Sequence, residues 1–266
     1  AMRECAPAIG AVSAERIREE MTKLLSRGGA RRGMELLLET GLLGEILPEV
    51  EKMIGVGQPP AFHPEGDVWE HTLRMLALLG EGGAVDPRLA WSVLFHDLGK
   101  TVTRSEDEKG IHFYGHVQKG EELAGRILER LRFSRDDLET VLMLIRHHMR
   151  FMSVERMRPN RLKRFLRMDG FPLHLELHRL DCLASHGDLS SYNFCVRKLA
   201  EIPEEDLKPP RLVTGDDLTA AGYSPGPLFG TILRAVEDAQ LNGEVATREE
   251  ALAWVETRWG NPAKEQ

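Results

Sequence analysis

The chain has 266 residues, 42% hydrophobic and 29% charged, with a net charge of -7; it is long enough to bury a core in one or two domains, and too acidic overall to be a nucleic-acid magnet without a local basic patch. Cys5, Cys182 and Cys195 are odd in number and lack metal-ligand spacing, which argues for reduced thiols rather than a disulfide framework. No apolar stretch reaches the ~20 residues of a membrane span and no signal peptide opens the chain, so a cytoplasmic location without a membrane partner is the expectation.

In chain order, nearly every segment reads as a helix. "SAERIREEMTKLL" opens on Ser13, an N-cap residue without a full capping box. "RRGMELLLETGLLGEILPEV" gives short amphipathic pieces broken at Gly41 and Pro48, and the Gly- and Pro-rich "GVGQPPAFHPEG" reads as a linker. "DVWEHTLRMLALLG" starts with Asp67 and Glu70 at capping-box spacing. Further helices are expected over 87–98, 117–132, 135–151, 160–168, 172–185 and 189–200. After the break "PEEDLKPP", two more follow in "SPGPLFGTILRAVEDAQ" and "TREEALAWVETRW", the latter with Thr247 and Glu250 again at box spacing. Alternating strand patterns are almost absent, and no repeat is seen. The fold class is therefore all-α, divided into a helical neck (1–57), a larger middle (58–200) and a helical tail (201–266).

"SVLFHDLGKT" poses the functional question. The run before His96 is apolar around almost the whole helical circumference, so His96 and Asp97 end a buried helix, with Gly99 as its expected stop. A buried carboxylate costs several kcal/mol unless compensated. Other polar groups also point inward. His71 shares a face with Val68, Met75, Leu78 and Leu79, and His148 continues the stripe of Val141 and Ile145. Asp181 lies on the stripe of Leu173, Leu177, Leu180 and Ala184. His116 opens a helix in which the small Gly120 is expected to leave room for the imidazole. A lone inward histidine is more often a hydrogen-bonded core residue, and an inward Asp often pairs with an Arg. Together, however, these groups share no partner unless a divalent cation satisfies them all; imidazole plus carboxylate suits Mn, Fe, Co, Ni, Zn or Mg.

His71, the His96–Asp97 pair and the distant Asp181, in that order, resemble the HD superfamily of metal-dependent phosphohydrolases, which implies an all-α HD-domain bundle. His116 and His148 resemble the added histidines that hold a second ion in some HD proteins, so one or two ions per chain are implied. His148 is preferred over His147 because related sequences keep the histidine before Met; His174 and His178 are competing ligands, expected instead to be partly exposed. The strings "ETGLLGEILPEV", "HPEGDVWEHTL", "DCLASHGDL" and "GPLFGTILRAVEDAQLNGEVATREEALAWV" are similar to the C-terminal part of bacterial tRNA nucleotidyltransferases and poly(A) polymerases. In that family a nucleotidyltransferase domain comes first. No Asp-x-Asp occurs in this chain, so it is not expected to add nucleotides alone.

The resemblance implies hydrolysis of small phosphoesters, with 2′,3′-cyclic phosphates, 2′-nucleotides and phosphorylated RNA ends as candidates, in the processing or repair of tRNA 3′ ends. Asp97 would bridge two ions or orient the attacking water, and Lys100 would neutralise a phosphate oxygen or serve only as a helix-terminal cation. Replacing Asp97 by Ala is expected to remove activity and leave the fold in place. The alternative is an RNA-binding body with a structural, non-hydrolytic site. "RMRPNRLKRFLR" concentrates Arg156, Arg158, Arg161, Lys163, Arg164 and Arg167, a patch that tracks phosphates or, equally, a solvated face paired with nearby acids.

Overall fold

The computed structural model describes residues 2–79 and 85–260, and among them it is all-α apart from one two-stranded hairpin. Most helices start where local chemistry dictates. Ser13 accepts from the Arg16 amide and opens Ala14–Ser26. Gly41, at φ 77, separates Ala30–Glu39 from Leu42–Ile46, and Pro48 starts Pro48–Glu51. At Val68–Leu79 the cap is carried by Asp67, which accepts from the Glu70 amide at 2.8 Å. Glu70 does not close the expected box in return: both its oxygens engage Arg31 at 3.1 Å. Gly80 and residues 261–266 lie outside the described residues. The box at Thr247 forms in both directions, and a second, at Thr214 and Asp217, opens the short helix Gly215–Ala220.

The expected secondary structure changes in two stretches. The helix expected over 135–151 ends at His147 and tightens into a 3-10 helix, His148–Arg156. There the His148 ring takes the Ile145 carbonyl that the next α-turn would use, at 2.7 Å. The hairpin Ser105–Asp107 with Gly110–His112 was not expected, because three-residue strands are too short to show alternation. Asp107 builds its turn by accepting from the Lys109 amide at 2.8 Å, and Gly110 supplies φ 111.

The chain forms two compact units, residues 1–152 with 172–192, and residues 153–171 with 193–266. In the first, Met21, Leu25, Met34 and Leu43 from the N-terminal helices share one core with Leu76, Trp91, Phe95, Ile145 and Leu180. Trp91 Nε1 donates to Thr22 Oγ1 at 3.0 Å, and Arg130 grips Glu49 through both guanidinium nitrogens at 2.7 and 2.9 Å. The compact units therefore cut the chain differently from the 1–57, 58–200 and 201–266 segments. The second unit has its own core, built on Leu218, Ile232, Val236, Ala251 and Val255.

Gly99 is not a left-handed helix stop. Its φ is -64, and it leads directly into the short helix Lys100–Thr103. Its value is closeness: a Cβ there would lie 2.5 Å from the Gly120 nitrogen and nearer still to the His116 carbonyl oxygen. Gly120 answers it, since its own Cβ would come within 3.2 Å of the Gly99 nitrogen. The expected room beside an imidazole is thus a backbone-to-backbone contact, which seats the helix His116–Arg130 on the His96–Asp97 turn.

The thiols offer a direct check on burial. Cys182 and Cys195 are buried, and burial pushes both thiols up to about 12, whereas Cys5 is exposed. With a disulfide reagent at pH 8, the native chain is predicted to react at Cys5 and to release the other two only on denaturation. Rapid reaction of all three would contradict this packing.

Candidate metal centre

Four histidines are pinned in the same way. Nδ1 of His71 is 2.6 Å from Glu65 Oε1; Nδ1 of His96, His116 and His148 lie 2.9, 2.9 and 2.7 Å from the carbonyls of Val93, Phe113 and Ile145. An oxygen acceptor at Nδ1 fixes the hydrogen there and leaves Nε2 as a bare lone pair. All four Nε2 atoms are buried and, among the described residues, have no hydrogen-bond partner.

Carboxylates face these lone pairs. Asp181 Oδ1 is 3.2 Å from His71 Nε2, and Asp97 Oδ2 is 3.3 Å from His96 Nε2. Asp97 Oδ1 lies 3.8 Å from His148 Nε2 and 3.9 Å from His116 Nε2. Acceptor facing acceptor in a buried site calls for a positive charge between them. The expected residues thus come together in two sets: His71, His96 and Asp181, and Asp97, His116 and His148, the ligand atoms of each set lying within 4.8 Å of one another. Ligands about 2.0–2.2 Å from a shared ion fit within such a spread. Asp97 presents one oxygen to each set.

A proton can substitute for a cation on only one side. Burial works against a charged His71, yet the facing carboxylates of Asp181 and Glu65 prevail and raise it to about 9. Burial pushes His148 down to about 4 and lowers His116, so those two rings stay neutral near pH 7. Asp97 is held well below the usual carboxylate range: burial opposes this, but the Lys100 ammonium, with the His96 ring beside it, outweighs it.

Lys100 is spoken for. Its buried ammonium sits 2.7 Å from Asp97 Oδ2 and 2.7 Å from Gln58 Oε1, beneath the Phe113 ring at 5.3 Å. It is Asp97's counter-ion at the floor of a cavity of about 520 Å³, which Asp97, His116, His148 and Asp181 also line.

Glu65 was not expected. Its side chain is fully buried and holds both His71 and His63, the latter at 2.9 Å. It lies in the Gly- and Pro-rich segment, where no helical face exists to reveal an inward carboxylate. Changing Glu65 to Gln is predicted to weaken divalent-ion affinity about 10–100-fold, the usual cost of losing a ligand's supporting hydrogen bond. Metal titration by calorimetry checks this; unchanged affinity would remove Glu65 from the site.

The structure places His148, not His147, against Asp97; His147 is half-buried beside His174. His174 and His178 are both buried, not partly exposed as expected, because the helix Phe171–Ala184 is covered on more than one face. Burial pushes both rings down to about 4. His178 stacks on Phe151 with ring centres 4.3 Å apart. Neither belongs to the two ligand sets above.

The basic stretch lies in the second unit and divides in two. Arg164 pairs with Glu237 and, at 2.9 Å, with Asp238; Arg167 pairs with Glu237 and donates to the Leu207 carbonyl. Arg156, Arg158 and Arg161 are exposed and Lys163 is half-buried. No helix among the described residues is long and apolar enough to cross a membrane.

Three family models match along the chain: "Probable RNA and SrmB-binding site of polymerase A" over residues 1–54, "HD domain" over 68–177, and tRNA nucleotidyltransferase domain 2 over 205–255. The CC-adding tRNA nucleotidyltransferase of Thermus thermophilus is 36% identical over 249 residues, covering 91% of this chain and 56% of that protein. The A-adding tRNA nucleotidyltransferase of Deinococcus radiodurans is 35% identical over 258 residues, covering 92% and 58% respectively. A multifunctional CCA protein of Nitrosococcus oceani is 33% identical over 173 residues, covering 64% of this chain and 42% of that protein. The chain thus spans little more than half the length of the first two. From the His96–Asp97 turn outward, geometry and likeness agree: the chain belongs to the tRNA nucleotidyltransferase and poly(A) polymerase family and carries an HD domain.

Proposed function

We propose that the first unit houses a divalent-metal phosphohydrolase centre of the phosphomonoesterase or 2′,3′-cyclic phosphodiesterase type, serving tRNA 3′-end processing or repair. The observation that carries it is the convergence of four buried, unpartnered Nε2 atoms on Asp97 and Asp181. His71, His96 and Asp181 would hold one ion, and Asp97, His116 and His148 a second. The donor set suits Mn, Fe, Co, Ni, Zn or Mg. When bound, such an ion supplies Lewis acidity, activating water near neutral pH and offsetting phosphoryl charge. Glu65 and the three backbone carbonyls keep the rings turned inward. Lys100 keeps Asp97 ionised, so that its carboxylate would be available to hold an ion or orient water at the cavity floor.

The names of the relatives support tRNA as the macromolecular partner, and support a nucleotidyltransferase domain as the companion with which this chain works. Arg156, Arg158, Arg161 and Lys163 would track RNA phosphates, with Arg164 and Arg167 bracing the helix beneath them.

The test is metal analysis of chain purified without chelator, followed by a panel of 2′,3′-cyclic nucleotides, 2′-nucleotides and simple phosphomonoesters. Bound divalent ion and turnover lost to chelator and restored by added metal are expected. Absence of both bound ion and divalent-dependent turnover would leave an RNA-binding body with a structural site.

A further inference from the structure

Above the metal-ligand groups, the cavity changes character. Its floor is histidine and carboxylate, but its mouth carries Phe62, Tyr114, Met149 and Met152, respectively 64%, 78%, 38% and 69% exposed. Phe62 and Tyr114 are the two aromatic side chains among the large exposed hydrophobics of the described residues, and both stand at this one opening. Scattered apolar residues on a surface need no explanation, whereas a cluster around a polar floor marks a ligand with two chemical ends.

Tyr114 is also preorganised. It follows the Gly110–His112 strand and stacks on His112, with ring centres 5.2 Å apart and planes 16° from parallel. His112 is itself anchored, its Nε2 lying 2.9 Å from Asp107 Oδ1 across the hairpin. A ring stacked on one face has one face left to offer. Phe62 is set by the turn at Pro59, whose carbonyl accepts from the Phe62 and His63 amides, each at 3.0 Å.

We propose that this mouth is a nucleobase subsite: Tyr114 and Phe62 stack on the base of a nucleotide whose phosphate lies on the histidine–carboxylate floor. The inference rests on the phosphoester reading of that floor. A flat ring plus an anion is what the two ends select, and a cavity of about 520 Å³ falls within the usual size range for small-ligand sites. Stacking tolerates any base because every base has a π-face, so the site would select nucleotides over sugar or glycerol phosphates without choosing strongly among bases.

The experiment measures equilibrium binding of three probes to the full chain: adenosine 2′-monophosphate, adenosine and glycerol 2-phosphate. Tyr114→Ala and Phe62→Ala are each expected to weaken adenosine 2′-monophosphate about tenfold and to leave glycerol 2-phosphate unchanged, while Tyr114→Phe retains wild-type binding. Equal weakening of both phosphates, or no change in either, overturns the subsite. Adenosine separates the two readings because it has no phosphoester. Tyr114-dependent adenosine binding in a chain that hydrolyses nothing upholds the subsite and sinks the hydrolase; full turnover with unaltered nucleotide KM in both alanine variants does the reverse.

Discussion

Asp97→Asn is expected to abolish divalent-ion retention and to lower phosphoester turnover by about 10³-fold, because one carboxylate serves both ligand sets. The structure also revises what the substitution does to the fold. From sequence alone, loss of Asp97 was expected to leave the fold in place; the buried contact with Lys100 adds an expected loss of stability. Its ammonium is buried against Asp97 at 2.7 Å, and removing one partner of a buried ion pair strands the other, at a cost of about 3–5 kcal/mol. For a unit of this size that predicts a fall in Tm of about 10 °C. The double variant Asp97→Asn with Lys100→Met separates the two effects. It is expected to recover most of the lost stability, since the stranded charge is gone, and to remain without bound metal and without activity. Thermal unfolding and metal content of the three proteins decide it. If the double variant regains turnover, Asp97 acts only as a structural counter-ion, and the reading of the site as a metal centre fails at its central residue.

What could be read in the sequence follows from periodicity. His71 and Asp181 each sit on a long helix whose apolar stripe gives them a direction, His148 directly follows the end of another, and the structure brings all three into the two ligand sets around the His96–Asp97 turn. The glycine before Lys100 announces a change of backbone, but not its kind: only coordinates show that Gly99 stays helical and serves contact. Glu65 stayed hidden because a loop has no periodic face. His174 and His178 were misjudged for the opposite reason: a helix covered on several sides buries polar positions that a single-stripe reading assigns to solvent. Asp107 and Gly110 lie in, and Tyr114 just after, a hairpin too short for alternation to register, so the cavity's aromatic rim was also out of reach. The pairing of Arg164 and Arg167 with Glu237 joins residues some seventy positions apart, and no local pattern encodes that.

A pair of glycine-to-alanine changes tests whether backbone contact positions the site. Gly99 and Gly125 both lie in helical stretches without positive φ, so alanine suits the backbone at either position and alone would stabilise by about 0.4–1 kcal/mol. Their surroundings differ. At Gly125 a Cβ meets only the flexible end of Leu142, at 3.7 Å, an ordinary contact. At Gly99 it meets backbone, the Gly120 nitrogen at 2.5 Å and the His116 carbonyl, and neither can swing away as a side chain can. Gly125→Ala is therefore expected to raise Tm slightly. Gly99→Ala is expected to lower stability by about 3 kcal/mol, the upper range for overpacking, or roughly 5–10 °C. The same change should reach the chemistry, because the only relief is for the helix His116–Arg130 to back away, carrying His116 from its place 3.9 Å from Asp97. Affinity for divalent ion should then fall in Gly99→Ala and hold in Gly125→Ala, even well below the unfolding transition. Should Gly99→Ala prove as stable and as tight for metal as the native chain, the close approach of these two helical segments does not set the geometry of the site, and His116 would be positioned by its own Phe113 hydrogen bond alone.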